Sequence, residues 1–233
     1  MLPQSTELKD RTAPVRFIVL HTTGRTFSER VGGTTEGAVD RYTHTAAPYY
    51  GHGIVDTEGT YAQLAPYLAR AQHSATLDWR YEAGDTGWPW RQWAKPLSGT
   101  AGDYIEHGRP PEVVWDWWDA RWPGVPTPLD LIGTRNPNNH SVGLDLLPTP
   151  TGDFSRVQLE VAAGLCCELL GLAGITARMG GSAPTVVTHS DIDPMRRGTV
   201  YKAGKVIGRD WDLGTRFDYG AFSDLLRSGG GQS

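Results

Sequence analysis

No run of apolar residues in this 233-residue chain exceeds strand length, which excludes a membrane-spanning helix of about 20 residues. Cysteine is scarce too. Cys166 and Cys167 are the only two, adjacent on a helical pattern, and neighbours bridge only with strain, so they are expected as small core fillers rather than a disulfide staple. Positive charge is not in excess: 22 Lys and Arg face 26 Asp and Glu, a net charge of −4. Nothing therefore invites a polyanion, and no nucleic-acid or membrane partner is expected. Residues Met1 to Asp10 lack the apolar core of a signal peptide, so synthesis in the cytoplasm without a signal is the expectation. A monomer is expected as well.

What is present is an alternation of strand and helix patterns. Residues 15–20 predict a buried strand, and Thr35 to Thr43 a helix with Thr34 or Thr35 as N-cap. Tyr49 to Asp56, the turn Thr57-Glu58-Gly59 and Thr60 to Leu64 read as a hairpin. Ser141 to Leu147 is a further strand, with Val142, Leu144 and Leu146 on one face and Gly143, Asp145 and Leu147 on the other. Ser155-Arg156-Val157-Gln158 predicts a capping box opening a long helix through Leu172, stopped by Gly174. Residues 184–188 form another strand, and Phe217, Ala221, Phe222 and Leu225 mark a closing helix. The expected fold is a single α/β domain over residues 1–233, a central mixed sheet flanked by helices. Within it, residues 79–136 hold eight of the nine tryptophans with many prolines and glycines, and are expected as an insertion. It serves either as an extra subdomain with a Trp core or as a binding platform beside a cleft.

Two of the strand patterns end in histidine: His21 closes Val15-Arg16-Phe17-Ile18-Val19-Leu20, and His189 closes Pro184-Thr185-Val186-Val187-Thr188. A buried strand that ends in His presents its imidazole at a sheet edge, where loops open to solvent. One such residue is usually structural. Two, followed by a loop that carries Asp212 and then an aromatic helix, point to a metal site. Two imidazoles and a carboxylate are a catalytic zinc set, with a fourth position for water. Asp210 is the competitor for the third place.

The series His21, Ala71-Gln72-His73-Ser74-Ala75, Ser141-Val142-Gly143-Leu144-Asp145, Thr188-His189-Ser190-Asp191-Ile192 and Asp212-x-Gly-x-x-Phe-Asp-Tyr resembles the zinc-dependent N-acetylmuramoyl-L-alanine amidases. This type includes phage lysozyme-like amidases, bacterial recycling amidases and peptidoglycan recognition proteins. The resemblance spans most of the chain except roughly residues 79–136. It implies one Zn2+ per chain on His21, His189 and Asp212, the last preferred over Asp210 because the motif spacing runs from it. It also implies hydrolysis of the amide between N-acetylmuramic acid and L-alanine in peptidoglycan or muropeptides. The enzyme would act on the cell wall, as an endolysin or other bacteriolytic enzyme does, after lysis or signal-independent export, or in the cytosol on recycled muropeptides. The competing reading is a recognition protein of the same fold that binds peptidoglycan without cleaving it.

Asp145 stands where the cytosolic members carry Glu, and the resemblance assigns it general base and proton shuttle; its alternative is a carboxylate that orients a ligand. The stretch from His189 to Asp212 is about a dozen residues longer than in the family, and the position two before Asp212, usually basic, is Asp210. Lys205 or Arg209 could reach back to steady the oxyanion, or His73 could donate instead. His73 is otherwise expected as a substrate-side donor at the cleft edge. Tyr50 is a substrate contact candidate, Arg196 and Arg197 are candidates for stem-peptide carboxylates, and Trp117 is the first candidate in the insert. His52 is expected to be structural.

Overall fold

The computed structural model describes residues 9–11, 13–23, 25–44, 51–71, 73, 137–179, 184–189, 201–202, 205–206, 213 and 216–229. The expected insertion at 79–136 lies outside them. In chain order the elements are β1 (Lys9–Asp10), β2 (Phe17–Thr22), α1 (Arg25–Arg30), α2 (Thr35–His44), β3 (Gly53–Val55), β4 (Tyr61–Gln63), β5 (Ala69–Arg70), β6 (Ser141–Leu146), α3 (Arg156–Leu172), β7 (Val186–Thr188), β8 (Tyr201–Lys202), β9 (Lys205–Val206) and α4 (Tyr219–Arg227). No described helix is long and apolar enough to cross a membrane.

Five strands form a mixed sheet in the order β4-β3-β6-β2-β7. The pairs β2–β6, β2–β7 and β3–β6 are parallel, and the β3–β4 hairpin is antiparallel. Strand β2 is buried from Phe17 through His21, as its apolar run requires of a central parallel strand covered on both faces. One face, carrying Ile18, Leu20, Val142, Leu144, Leu146 and Val186, packs against α3 and α4 through Leu159, Ala163, Cys166, Leu170 and Phe222. Fully buried side chains of this size contribute roughly 1.5–3 kcal/mol each. The opposite face packs Ile54 and Leu147 against Val31 and Ala38, with Phe27 and Tyr42 alongside. Cys166 is buried and Cys167 partly so, and both are free thiols.

The caps decide where helices begin. Thr34 Oγ1 accepts from Gly37 N at 3.1 Å, so Thr34, rather than Thr35, caps α2. The Thr35 amide instead donates to the buried Asp56 carboxylate at 3.0 Å. Asp56 also accepts from Glu58 N and Thr60 N, closing the hairpin turn in which Gly59 takes φ +79°. At α3, Ser155 Oγ accepts from Gln158 N at 3.1 Å, the expected half of a capping box. The reciprocal half is not made. Gln158 is fully buried, and its amide donates to Val55 O at 2.9 Å and Leu147 O at 2.8 Å. The Leu147 carbonyl, and the Val55 carbonyl that also accepts from Leu147 N at 2.9 Å, together draw the Gln158 amide away from the helix end. Gly174, at φ +70°, stops α3, and Asp218 caps α4 by accepting from Ala221 N at 2.8 Å.

Three elements were not foreseen: α1, the short β1–β5 pair, and the β8–β9 ribbon, which takes up part of the long stretch between His189 and Asp212. Arg11 ties the β1–β5 pair down. Its guanidinium donates to Asn138 O, Tyr67 O and Ala69 O at 3.0–3.3 Å, and burial lowers its pKa to about 10, so it stays charged at neutral pH.

Candidate active site at the strand ends

In a parallel sheet, side chains at the carboxyl ends of adjacent strands share one rim. Register puts the candidates there. His21 of β2 pairs with Asp145 of β6, and His189 directly follows Thr188, the partner of Leu20. Residues paired in register project to the same face, so His21, Asp145 and His189 share the face that carries Ile54 and α2. His21 and His189 are each 5% exposed, and Asp145 is 8% exposed.

The rings of His21 and His189 meet edge to face, with their Nδ1 atoms 3.0 Å apart. Two imidazole nitrogens brought together from positions 168 residues apart are a donor pair suited to a borderline cation. On its other side, His21 Nε2 lies 3.0 Å from Nδ1 of His73. His73 Nε2 in turn lies 3.0 Å from Ser141 Oγ and 3.4 Å from the Ser141 carbonyl oxygen. His73 is therefore buried behind His21, at 8% exposure. Desolvation, with His21, His52 and Arg11 nearby, holds its pKa well below the ordinary histidine value.

Two glycines make room for this arrangement. A Cβ on Gly143 would stand 2.4 Å from His73 Cγ, and one on Gly51 would stand 2.5 Å from Asp145 Oδ2. The Gly51 amide donates to that same carboxylate oxygen at 3.0 Å, so the chain reaches close enough to orient Asp145. His52, fully buried, is structural as expected: its Nδ1 accepts from Gly143 N at 3.0 Å, and its Nε2 donates to Ala69 O at 2.9 Å. Burial, with Arg11 close by, lowers its pKa to about 4. Tyr42, packed beneath the rim, has its pKa raised by burial and by Asp145.

Of the sequence candidates, the structure thus brings together His21, His189, Asp145 and His73. Lys205 is on β9, with only its backbone described. Tyr50, Arg196, Arg197, Arg209, Asp210, Asp212 and Trp117 lie outside the described residues. Leu213 is 2% exposed in the core, with φ 51°. Among the described residues no group of three or more His, Cys, Asp or Glu is arranged to hold a metal ion. Sequence reasoning missed Ser141, Gly143 and Gly51. The only local signal for Gly143 was a glycine inside a strand, which marks close approach by another group.

A family model described as N-acetylmuramoyl-L-alanine amidase matches residues 11–200. That stretch contains His21, His73, Asp145 and His189 and ends before Asp212. No curated protein matches the chain. Solved structures similar to it include a selenomethionine derivative of AmpD, 15% identical over 94% of this chain and 90% of that one, with a TM-score of 0.45. A mutant endolysin from Bacillus subtilis is 17% identical over 79% of each chain, with a TM-score of 0.40.

Proposed function

Because the chain belongs to the N-acetylmuramoyl-L-alanine amidase family, we propose that it is a zinc-dependent hydrolase of the amide between N-acetylmuramic acid and L-alanine in peptidoglycan or muropeptides. The observation that carries the zinc dependence is the pair of Nδ1 atoms of His21 and His189, 3.0 Å apart at the rim of the sheet. Two nitrogens on one tetrahedral zinc stand about 3.3 Å apart, from Zn–N bonds of about 2.0–2.1 Å, so the pair fits with a small adjustment. Asp212 is the proposed third ligand. When bound, the ion would supply a Lewis acid that polarises the scissile carbonyl and acidifies water.

Asp145 does the proton work in this reading. It stands beside His21 in register, and the Gly51 amide holds one of its oxygens. A carboxylate so oriented takes a proton from the attacking water and delivers it to the leaving amine of L-alanine. Lys205 is proposed to steady charge on the carbonyl oxygen. Tyr50, Arg196 and Trp117 are proposed to contact substrate, Arg196 through stem-peptide carboxylates. We also propose a monomer that is made in the cytoplasm, and that meets the wall after lysis or export, or muropeptides in the cytosol.

Two measurements test the function. Purified protein should carry about one zinc per chain, lost in His21→Ala and in His189→Ala. Mass spectrometry of digested muropeptides should find stem peptides with a new N-terminal L-alanine and intact glycan, with the reaction stopped by chelator and restored by zinc. Full metal retention in both variants would sink the ligand set. Cleavage within the peptide, or new reducing sugar ends, would sink the bond assignment.

A further inference from the structure

We propose that His73 and Ser141 form a positioning relay that sets the tautomer of His21, so that His21 Nδ1 presents a lone pair towards His189. The inference rests on the zinc reading above and deepens it. It also moves His73 from the substrate side, where the sequence suggested it, to the back of a metal ligand.

The argument is one of proton placement. His73 Nε2 faces two groups of Ser141, the hydroxyl at 3.0 Å and the backbone carbonyl at 3.4 Å. A hydroxyl can donate or accept, but a carbonyl only accepts. Facing both, the His73 Nε2 position is better matched by an N–H. With its proton there, His73 Nδ1 is an acceptor, and the atom 3.0 Å away, His21 Nε2, must donate to it. A neutral His21 that carries its proton on Nε2 has a lone pair on Nδ1, the atom that faces His189 Nδ1 at 3.0 Å. The opposite chain of protons would put N–H on His21 Nδ1, where it would repel a cation. A metal-bound histidine whose second nitrogen donates to a fixed acceptor is held in orientation and made more basic. Here the acceptor is another imidazole.

The relay is also rigidly seated. The His73 ring lies against the β6 backbone at Gly143, where any Cβ would collide with Cγ at 2.4 Å. The His52 ring backs it, with centroids 5.5 Å apart and planes at 67°. His52 is itself pinned by Gly143 N and Ala69 O. An acceptor that cannot swing away costs no ordering when metal arrives.

The test uses the full chain labelled with 15N-histidine and read in the metal-free state by long-range 1H–15N correlation. His21 should be the Nε2–H tautomer, with Nδ1 unprotonated. Zinc affinity, from competition with a chromophoric chelator, should fall about 10–100-fold in His73→Leu. It should fall much less in His73→Asn, which keeps an acceptor near the Nδ1 position, and in Ser141→Ala, which keeps the carbonyl. An Nδ1–H tautomer in the unmutated protein overturns the relay, and so does unchanged zinc affinity in a folded His73→Leu. If that variant does not fold, the tautomer spectrum and the His73→Asn titration decide. Failure of the unmutated protein to bind zinc would sink the metal reading, and the spectrum would still decide the relay.

Discussion

A methyl group at either of two glycines would collide with the site. At Gly51 the collision is with Asp145 Oδ2, the oxygen that the Gly51 amide also holds. The same Cβ would stand 2.9 Å from the Gly143 carbonyl oxygen, so Gly51→Ala should displace both the Asp145 carboxylate and the β6 backbone beside it. Turnover should fall while zinc content stays near one per chain. Asp145→Asn removes the proposed base and should cost roughly 10²–10⁴-fold in kcat with zinc retained, the usual contribution of a positioned acid or base. Unaltered turnover in Asp145→Asn would return this residue to the role of orienting a ligand. The residue types were legible in sequence because strand-terminal His and a strand Asp are local signals. The partners of those residues were not. Nothing near His73 in sequence announces His21, 52 positions away, and Ser141 looked like the first residue of a strand.

Elements were legible where their own chemistry decides them. The apolar run of β2, the N-cap of α3 and the left-handed Gly174 all appear as the pattern predicts. Departures arise where a distant group competes. Gln158 leaves its helix end because the carbonyls of Val55 and Leu147 lie within reach, and its two donated bonds join α3 to the ends of β3 and β6. Gln158→Leu takes the amide from the Leu147 carbonyl, while the Val55 carbonyl keeps its bond from Leu147 N, so it should lower stability by about 1–3 kcal/mol, read as a reduced midpoint in urea unfolding. An unchanged midpoint would mean water replaces the amide. The short β1–β5 pair was invisible for the same reason: two-residue strands have no periodicity, and Arg11 anchors them through carbonyls of other segments.

At the scale of the molecule, the buried histidines tie folding to pH. His52 has its pKa lowered from 6.5 to about 4 by burial. Between those values the unfolded chain binds a proton that the folded one refuses, so stability present above pH 6.5 is lost as pH falls towards 4. For His52 alone the loss is roughly 3 kcal/mol, from 1.36 kcal/mol per pKa unit. The melting temperature of metal-free protein should drop between pH 7 and pH 4.5, and His52→Gln should flatten that slope. The chain's net charge of −4 provides no general attraction to an anionic wall, so the proposed hold on the wall is local, and the Trp-rich 79–136 segment is the proposed place for it. Trp117→Ala should raise KM on polymeric peptidoglycan while kcat on a soluble muropeptide barely changes. A lowered melting temperature with no selective loss on polymer would assign that tryptophan to a core instead.

The sequence by itself determined the alternation of strands and helices, the mixed α/β class, the two histidines at strand ends and a carboxylate within a third strand. Each of these follows from periodicity or from a motif read along a few consecutive residues. Only the tertiary structure decided which ring nitrogens face each other, which glycines admit His73 and Asp145, and where the Gln158 amide donates. Those outcomes depend on strand register and on distances between groups far apart in the chain. A one-residue shift of β6 against β2 would turn Asp145 to the opposite face from His21. The chemistry of the rim is thus written in the side chains, and packing of the whole sheet assembles it.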